Sequence, residues 1–313
     1  MASTTVIGCV QVDLLITPVD DLPAPGTARF IDGMSARAGG AGANVAMAFA
    51  EAGVPVRLIG CVGDDRFGAW MLEQLAPAGL DGDIVTVPGA ATGLTVAFEG
   101  ARRDRTFLTF LGVNATWDLP MIAEDVFVAE NLLLCDYFCA PGLRGDAATM
   151  LLSKAREAGA MTFFDTAWDP GGWPPSTQQE VRDVLAYVDV FLPNEAEARA
   201  LTGGPESIEE AARLLQYASG GWVVVKLGPR GCFATGPGGI ELSVSAPRVE
   251  VADSTGAGDA FNAGLIAALA DQRDWPEALA AATELASTIV SRPSGARYRD
   301  PSDSAFSAEP DRP

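Results

Sequence analysis

The stretch Asp253-Ser-Thr-Gly256-Ala-Gly258-Asp259-Ala-Phe-Asn-Ala-Gly264 follows a strand-like run, Arg248–Ala252, and opens a long apolar helix carrying Phe261, Leu265, Ile266 and Leu269. Gly256 and Gly258 let the backbone approach a ligand closely, and a helix start offers unpaired N–H groups at a positive dipole end. That combination is an anion site built without side-chain charge. Asp259 sits inside it, where a carboxylate is electrostatically awkward unless it has a task. The task that fits is taking a proton from an attacking hydroxyl; the alternative is a plain helix cap.

A second glycine cluster, Gly39-Gly40-Ala41-Gly42-Ala43-Asn44-Val45-Ala46, also precedes a helix. Asn44 stands in the first turn of an otherwise apolar helix. Its amide both donates and accepts, as recognition of sugar hydroxyls requires, or it caps the helix locally. Two familiar nucleotide loops fail on these glycines. No G-x-x-x-x-G-K-[ST] run exists, and the G-x-G-x-x-G pattern breaks at Phe261 and at Val45. A Rossmann dehydrogenase is disfavoured.

Outward from these clusters, short apolar runs alternate with amphipathic segments. Strands are expected at Val6–Val10, Val56–Val62, Asn131–Cys135, Met161–Phe164, Val188–Leu192 and Val223–Leu227. Helices are expected at Asn44–Ala52 (stopped by Gly53), Phe67–Leu75, Ala147–Ala158, Gln178–Ala186 and Ile208–Ala218. Repeated βα units build a mostly parallel sheet with helices on both faces, an α/β/α sandwich. Residues from Pro18 to Ala36 and from Gly93 to Gly112 carry no helical period. Leu94–Phe98 and Thr106–Leu111 instead look like paired strands, either a small projecting lid or an antiparallel edge of the main sheet. The lid would come from about residues 12–36 and 93–112, inserted in a single domain of residues 1–299. The Pro/Ser/Asp-rich tail, 300–313, is expected to be disordered.

The 313 residues are 48% hydrophobic, enough for a large core, and 21 basic against 41 acidic residues leave a net charge of −20. A surface so acidic repels nucleic acid and anionic membrane, and no Lys/Arg run offsets it. There is no histidine. Ser-His-Asp and Cys-His catalysis are therefore excluded, and a general base must be a carboxylate, Lys, Tyr or Cys. The five scattered cysteines read as reduced, buried thiols of a cytoplasmic protein. No signal peptide or membrane span is expected.

The two clusters, in this order and at this distance, resemble the paired signatures of the PfkB (ribokinase-like) carbohydrate kinases, and D-S-T-G-A-G-D-A-F is the more specific of the two. Pro193-Asn194-Glu195-Ala196-Glu197 resembles the family's N-x-x-E element, and Lys226-Leu227-Gly228-Pro-Arg-Gly231 its nucleotide-side glycine turn. Asp13 matches the family's sugar-binding Asp. The resemblance runs from about Val6 to Arg297 and implies a ribokinase-like fold with a β-lid that often forms a dimer interface. It implies transfer of a phosphoryl group from ATP to a sugar hydroxyl. Asp259 would be the base, and the amides of Gly256, Ala257 and Gly258 the anion hole. Asp13, Gly39, Gly40 and Asn44 would hold the sugar, and Asn194, Lys226, Gly228 and Gly231 would face the nucleotide. Glu197 and Asn194 would place Mg2+, largely through water. Asp253 would serve a monovalent cation, K+, with carbonyls from Ser291–Gly295.

Two departures bear on which sugar is taken: Ala41, where ribokinases often carry Lys, and Gln11, where many members carry Asn. Arg102, Arg103 and Arg105 in the lid turn either meet an acidic acceptor or are solvated. Phe98, Phe107 and Phe110 either face an apolar acceptor or pack the lid and a dimer seam. A nucleoside kinase on the same fold, and a non-catalytic sugar-binding regulator, stand as alternatives to a sugar kinase.

Overall fold

Val6 packs into one apolar cluster and its neighbour Ile7 into another; Leu133 and Leu132 divide in the same way, as do Val224 and Val223. Strands with both faces buried are near-continuous apolar runs, and their alternate residues feed two separate cores. Such a sheet is covered on both sides.

The computed structural model describes residues 3–17, 19, 22–99, 105–204 and 207–292. Its strands are β1 (Thr4–Ile7), β2 (Gln11–Thr17), β3 (Gly33–Gly39), β4 (Arg57–Gly63), β5 (Ile84–Val87), β6 (Gly93–Glu99), β7 (Arg105–Phe110), β8 (Asn131–Leu134), β9 (Met161–Phe164), β10 (Val190–Phe191), β11 (Trp222–Lys226), β12 (Cys232–Gly236) and β13 (Ile240–Val244). The helices are α1 (Ala41–Glu51), α2 (Arg66–Leu75), α3 (Asp146–Glu157), α4 (Pro175–Leu185), α5 (Glu195–Leu201), α6 (Ile208–Ser219), α7 (Ala257–Ala270) and α8 (Trp275–Val290).

The large sheet runs β13-β12-β11-β10-β9-β8-β1-β4-β5 among the described residues. It is parallel from β11 to β5, and β12 and β13 add an antiparallel hairpin at one edge. Helices α1, α2, α7 and α8 cover the face that holds Val6, and α3 to α6 cover the face that holds Ile7. The α/β/α fold expected from the alternation is the one found.

The second sheet, β3-β2-β6-β7, is separate from the first, so Leu94–Phe98 and Thr106–Leu111 do not form an edge of the main sheet. One cross-strand row of this small sheet aligns Arg37, Asp13, Thr95 and Thr109 on a single face.

Two expectations are corrected. Helix α1 begins at Ala41, so most of the first glycine cluster lies at its start rather than ahead of it. Arg248–Ala252 forms no strand: Val249 and Val251 stay exposed, and the segment is tied down where the amides of Ala252 and Asp253 donate to the Val290 carbonyl at the end of α8. The lid-turn residues Arg102 and Arg103, the tail 300–313 and the carbonyls of 293–295 lie outside the described residues.

Candidate active site

Helices α1 and α7 both start on glycine. Gly40 caps α1 and Gly256 caps α7, and neither start is closed by a side-chain cap. Gly256 has φ +71, a left-handed conformation costly for residues with a Cβ. The turn therefore delivers Ala257 and Gly258 at the head of the helix. The Ala257 N–H turns back to the Ser254 carbonyl at 3.3 Å. Gly39, the last residue of β3, is covered by Asp13: a Cβ placed there would lie 2.2 Å from the carboxylate carbon of Asp13. Only glycine leaves room for that acid.

Asn44 and Asp259 occupy the first turns of the two helices, and Asn44 Nδ2 donates to Asp259 Oδ2 at 3.0 Å. Both local-capping alternatives fail on this bond, because each side chain reaches the other helix. Asn44 is buried and Asp259 half-buried.

Successive strand ends supply the other polar groups, as is general for parallel α/β sheets, where ligands meet the carboxyl edge. Asp136 follows β8, Asp165 follows β9, Asn194 follows β10, and Lys226 ends β11. Asp136 takes a left-handed φ of +57, and its Oδ2 accepts from the amides of Cys9 (3.0 Å) and Gly42 (3.2 Å), closing the start of α1 from below. Asp165 Oδ2 accepts from Lys226 Nζ and from Asn262 Nδ2, both at 2.6 Å. A Cβ on Gly258 would meet Lys226 Nζ at 3.5 Å, so the ammonium lies directly beneath the α7 turn. Asn194 and Glu197 cap each other at the start of α5: Asn194 N and Nδ2 donate to the Glu197 carboxylate, and Glu197 N donates to Asn194 Oδ1. Gly228 and Gly231 lie in the turn between β11 and β12, where Gly231 N donates to the Gly228 carbonyl at 2.9 Å.

Crowded acids dominate the electrostatics. Burial, then the charges of Asp136 and Asp165, push the Asp259 carboxyl up to about 8, against Lys226 and the Asn44 hydrogen bond. Burial pushes Asp136 up to about 6 even though the Gly42, Cys9 and Ala41 amides favour its charge. Burial and Asp165 push Glu197 up to about 7. For Lys226, burial alone would favour the neutral amine, but Asp165, Glu197 and Asp259 outweigh it and hold the ammonium above its ordinary range.

The profile of the pfkB family of carbohydrate kinases matches residues 1–301. A fructokinase from Klebsiella pneumoniae is 33% identical over 240 residues, covering 74% of this chain and 76% of its own length. The chain belongs to the pfkB family of carbohydrate kinases. A ribokinase from Haemophilus influenzae is 26% identical over 281 residues, with 88% of each chain covered. An Arabidopsis thaliana ribokinase solved with ribose and ATP shares the fold, with a TM-score of 0.80 at 24% identity over 93% of both chains.

Metal fit in this kinase is uneven. Among the described residues, no three acids gather to hold an ion directly. The buried Glu197 carboxylate beside Asp165 suits a hard cation that keeps its own waters, as Mg2+ does. A monovalent cation fits Asp253 poorly. That carboxylate, 1% exposed, is paired with the Arg37 guanidinium from β3 at 2.5 Å and accepts from Thr255 N at 2.9 Å. The place expected for K+ at Asp253 already holds a positive group.

Asp136, Asp165, Asn262 and Arg37 escaped the sequence reading. The first two carried a usable signal, since each is the first acid after an apolar strand run, Leu132-Leu133-Leu134-Cys135 and Phe163-Phe164. All five cysteines are free, four of them buried, and burial pushes the Cys61 and Cys232 thiols up to about 12. No helix of the described residues is long and apolar enough to cross a membrane.

Proposed function

We propose that this kinase transfers the γ-phosphoryl group of ATP to a hydroxyl of a small sugar or sugar-like alcohol. The observation that carries the reading is the Asn44–Asp259 bond, which places one carboxylate where the starts of α1 and α7 converge. Asp13, Gly39, Gly40 and Asn44 hold the acceptor on one side of it, and the Gly256–Gly258 turn receives the phosphoryl group on the other. Asp259 takes the hydroxyl proton, and Asn44 steers the carboxylate toward it. Lys226 under the turn adds positive charge, while Asn194, Gly228 and Gly231 face the nucleotide. Phosphoryl transfer is mostly positioning and charge stabilisation, so these groups and a metal can carry it. Mg2+, when bound, neutralises phosphate charge, and Glu197 and Asn194 orient its waters.

Relatives named ribokinase, fructokinase and deoxyribokinase support a simple sugar as the acceptor. An ADP-release assay across pentoses, hexoses, sugar acids and nucleosides tests the proposal. Turnover with a free sugar is the expected result; turnover only with nucleosides, or with nothing, overturns it.

The same proposal makes the kinase a cytoplasmic homodimer. Met34, Leu108 and Phe110 are each more than half exposed and share one face of the small sheet, an apolar face suited to a second copy. Its buried, unpaired thiols suit a reducing compartment.

The ligand-free base is protonated below about 8, so kcat/KM should rise with pH up to that region. Replacing Asp136 with Asn removes the charge that most strongly opposes ionisation of Asp259. The rising limb should then move to lower pH by roughly one unit. An unmoved limb would mean that the amides of Cys9 and Gly42 already cancel the Asp136 charge.

A further inference from the structure

The pair between Arg37 and Asp253 joins residues 216 positions apart, one on the small sheet and one in the turn that leads into α7. Asp253 is fully enclosed and Arg37 is 14% exposed. The carboxylate does two things at once: Oδ1 holds the Thr255 amide, which shapes the turn ahead of Gly256, and Oδ2 holds the guanidinium. Two further guanidinium nitrogens, Nε and Nη2, are buried without an acceptor. The full positive charge of the side chain is thus spent inside the protein, next to one acid, and a second cation brought to that acid would meet it at close range.

We propose that Arg37 is the built-in countercharge of the α7 turn, supplying from the chain itself the positive charge that a bound monovalent cation would bring to Asp253, so that this kinase works without potassium. The inference rests on the kinase reading above and extends it to the ion requirement. Arg37 is a positioning residue. It acts through Asp253 on the amides of the turn and has no assigned contact with the sugar or the transferred phosphoryl group. Water in its place would lack the charge, and an ammonium group would keep the charge but lose the planar fork that fixes the direction of the contact.

The test compares the wild type in potassium chloride and in choline chloride at equal ionic strength, reading Mg·ADP affinity by calorimetry and turnover with whichever acceptor the panel identifies. Both should agree within about twofold between the two salts. Arg37→Met, checked for folding by its melting curve, should lose turnover in choline by roughly tenfold or more, chiefly in kcat, and recover part of it in potassium. Arg37→Lys, which keeps the charge, should remain indifferent to the salt. A wild type activated several-fold by potassium overturns the inference, even if Arg37→Met fails to fold, and so does a folded Arg37→Met that matches the wild type in choline. Nucleotide binding in potassium alone sinks this inference and leaves the kinase reading standing; no nucleotide binding in either salt sinks both.

Discussion

Asp259→Asn should lower kcat by at least about 100-fold while leaving nucleotide affinity close to that of the wild type. General-base catalysis is worth roughly 10²–10⁴ in rate, and the substitution removes the proposed base while keeping the shape. The Asn side-chain oxygen can still accept from Asn44, so the link between α1 and α7 survives. The same change should raise stability at alkaline pH. Folded Asp259 ionises at about 8, far above the ordinary carboxylate value of 3.8, so folding favours its protonated form. Stability from that preference is complete below about pH 4 and drains away as pH rises to 8. The Asn variant escapes the loss. It should melt several degrees above the wild type at pH 8.5 and close to it at pH 5. Turnover within threefold of wild type would remove Asp259 from its role, and a variant that melts lower at both pH values would show that lost activity came from lost structure.

Lys226→Met should be the most destabilising single change in the site. The ammonium is the partner of Asp165, at 2.6 Å, in a pair whose members are 12% and 10% exposed. Removing one member of such a pair leaves the other charge buried, at a cost of about 3–5 kcal/mol. For a chain of this size that corresponds to a fall in Tm of roughly 5–8 °C. Asp165 would also lose the charge that offsets its repulsion of Glu197 and Asp259, so turnover at neutral pH should fall as well. Lys226→Met combined with Asp165→Asn should regain much of the lost stability, because the orphaned charge is gone. If the single variant melts within 2 °C of the wild type, water rather than lysine compensates Asp165.

How far the sequence revealed all this depended on whether the deciding contact was local. Val223, Val224 and Val225 announce a buried strand because β-branched residues in a short run need no distant partner to be read. Gly256 and Gly258 announce a helix start for the same reason. Asn44 and Asp259 were both singled out, yet the bond between them spans 215 residues and no spacing rule foretells it. Arg37 shows the opposite case. In Ser35-Ala-Arg37-Ala it reads as an ordinary strand residue, and only the closing of the small sheet over the α7 turn gives it Asp253. Arg248–Ala252 alternates like a strand, but no neighbouring strand lies beside it, and a ladder needs one.

The order of strands β11-β10-β9-β8-β1 has a metric consequence. Adjacent strands stand about 4.8 Å apart, so the four gaps from Lys226 to the end of β1 measure about 19 Å. That is the reach of one monosaccharide followed by a short polyphosphate, and little more. On the proposed arrangement the carboxyl edge of the sheet would act as a ruler, with room to lay a single sugar and a nucleotide's phosphate chain end to end across its central strands.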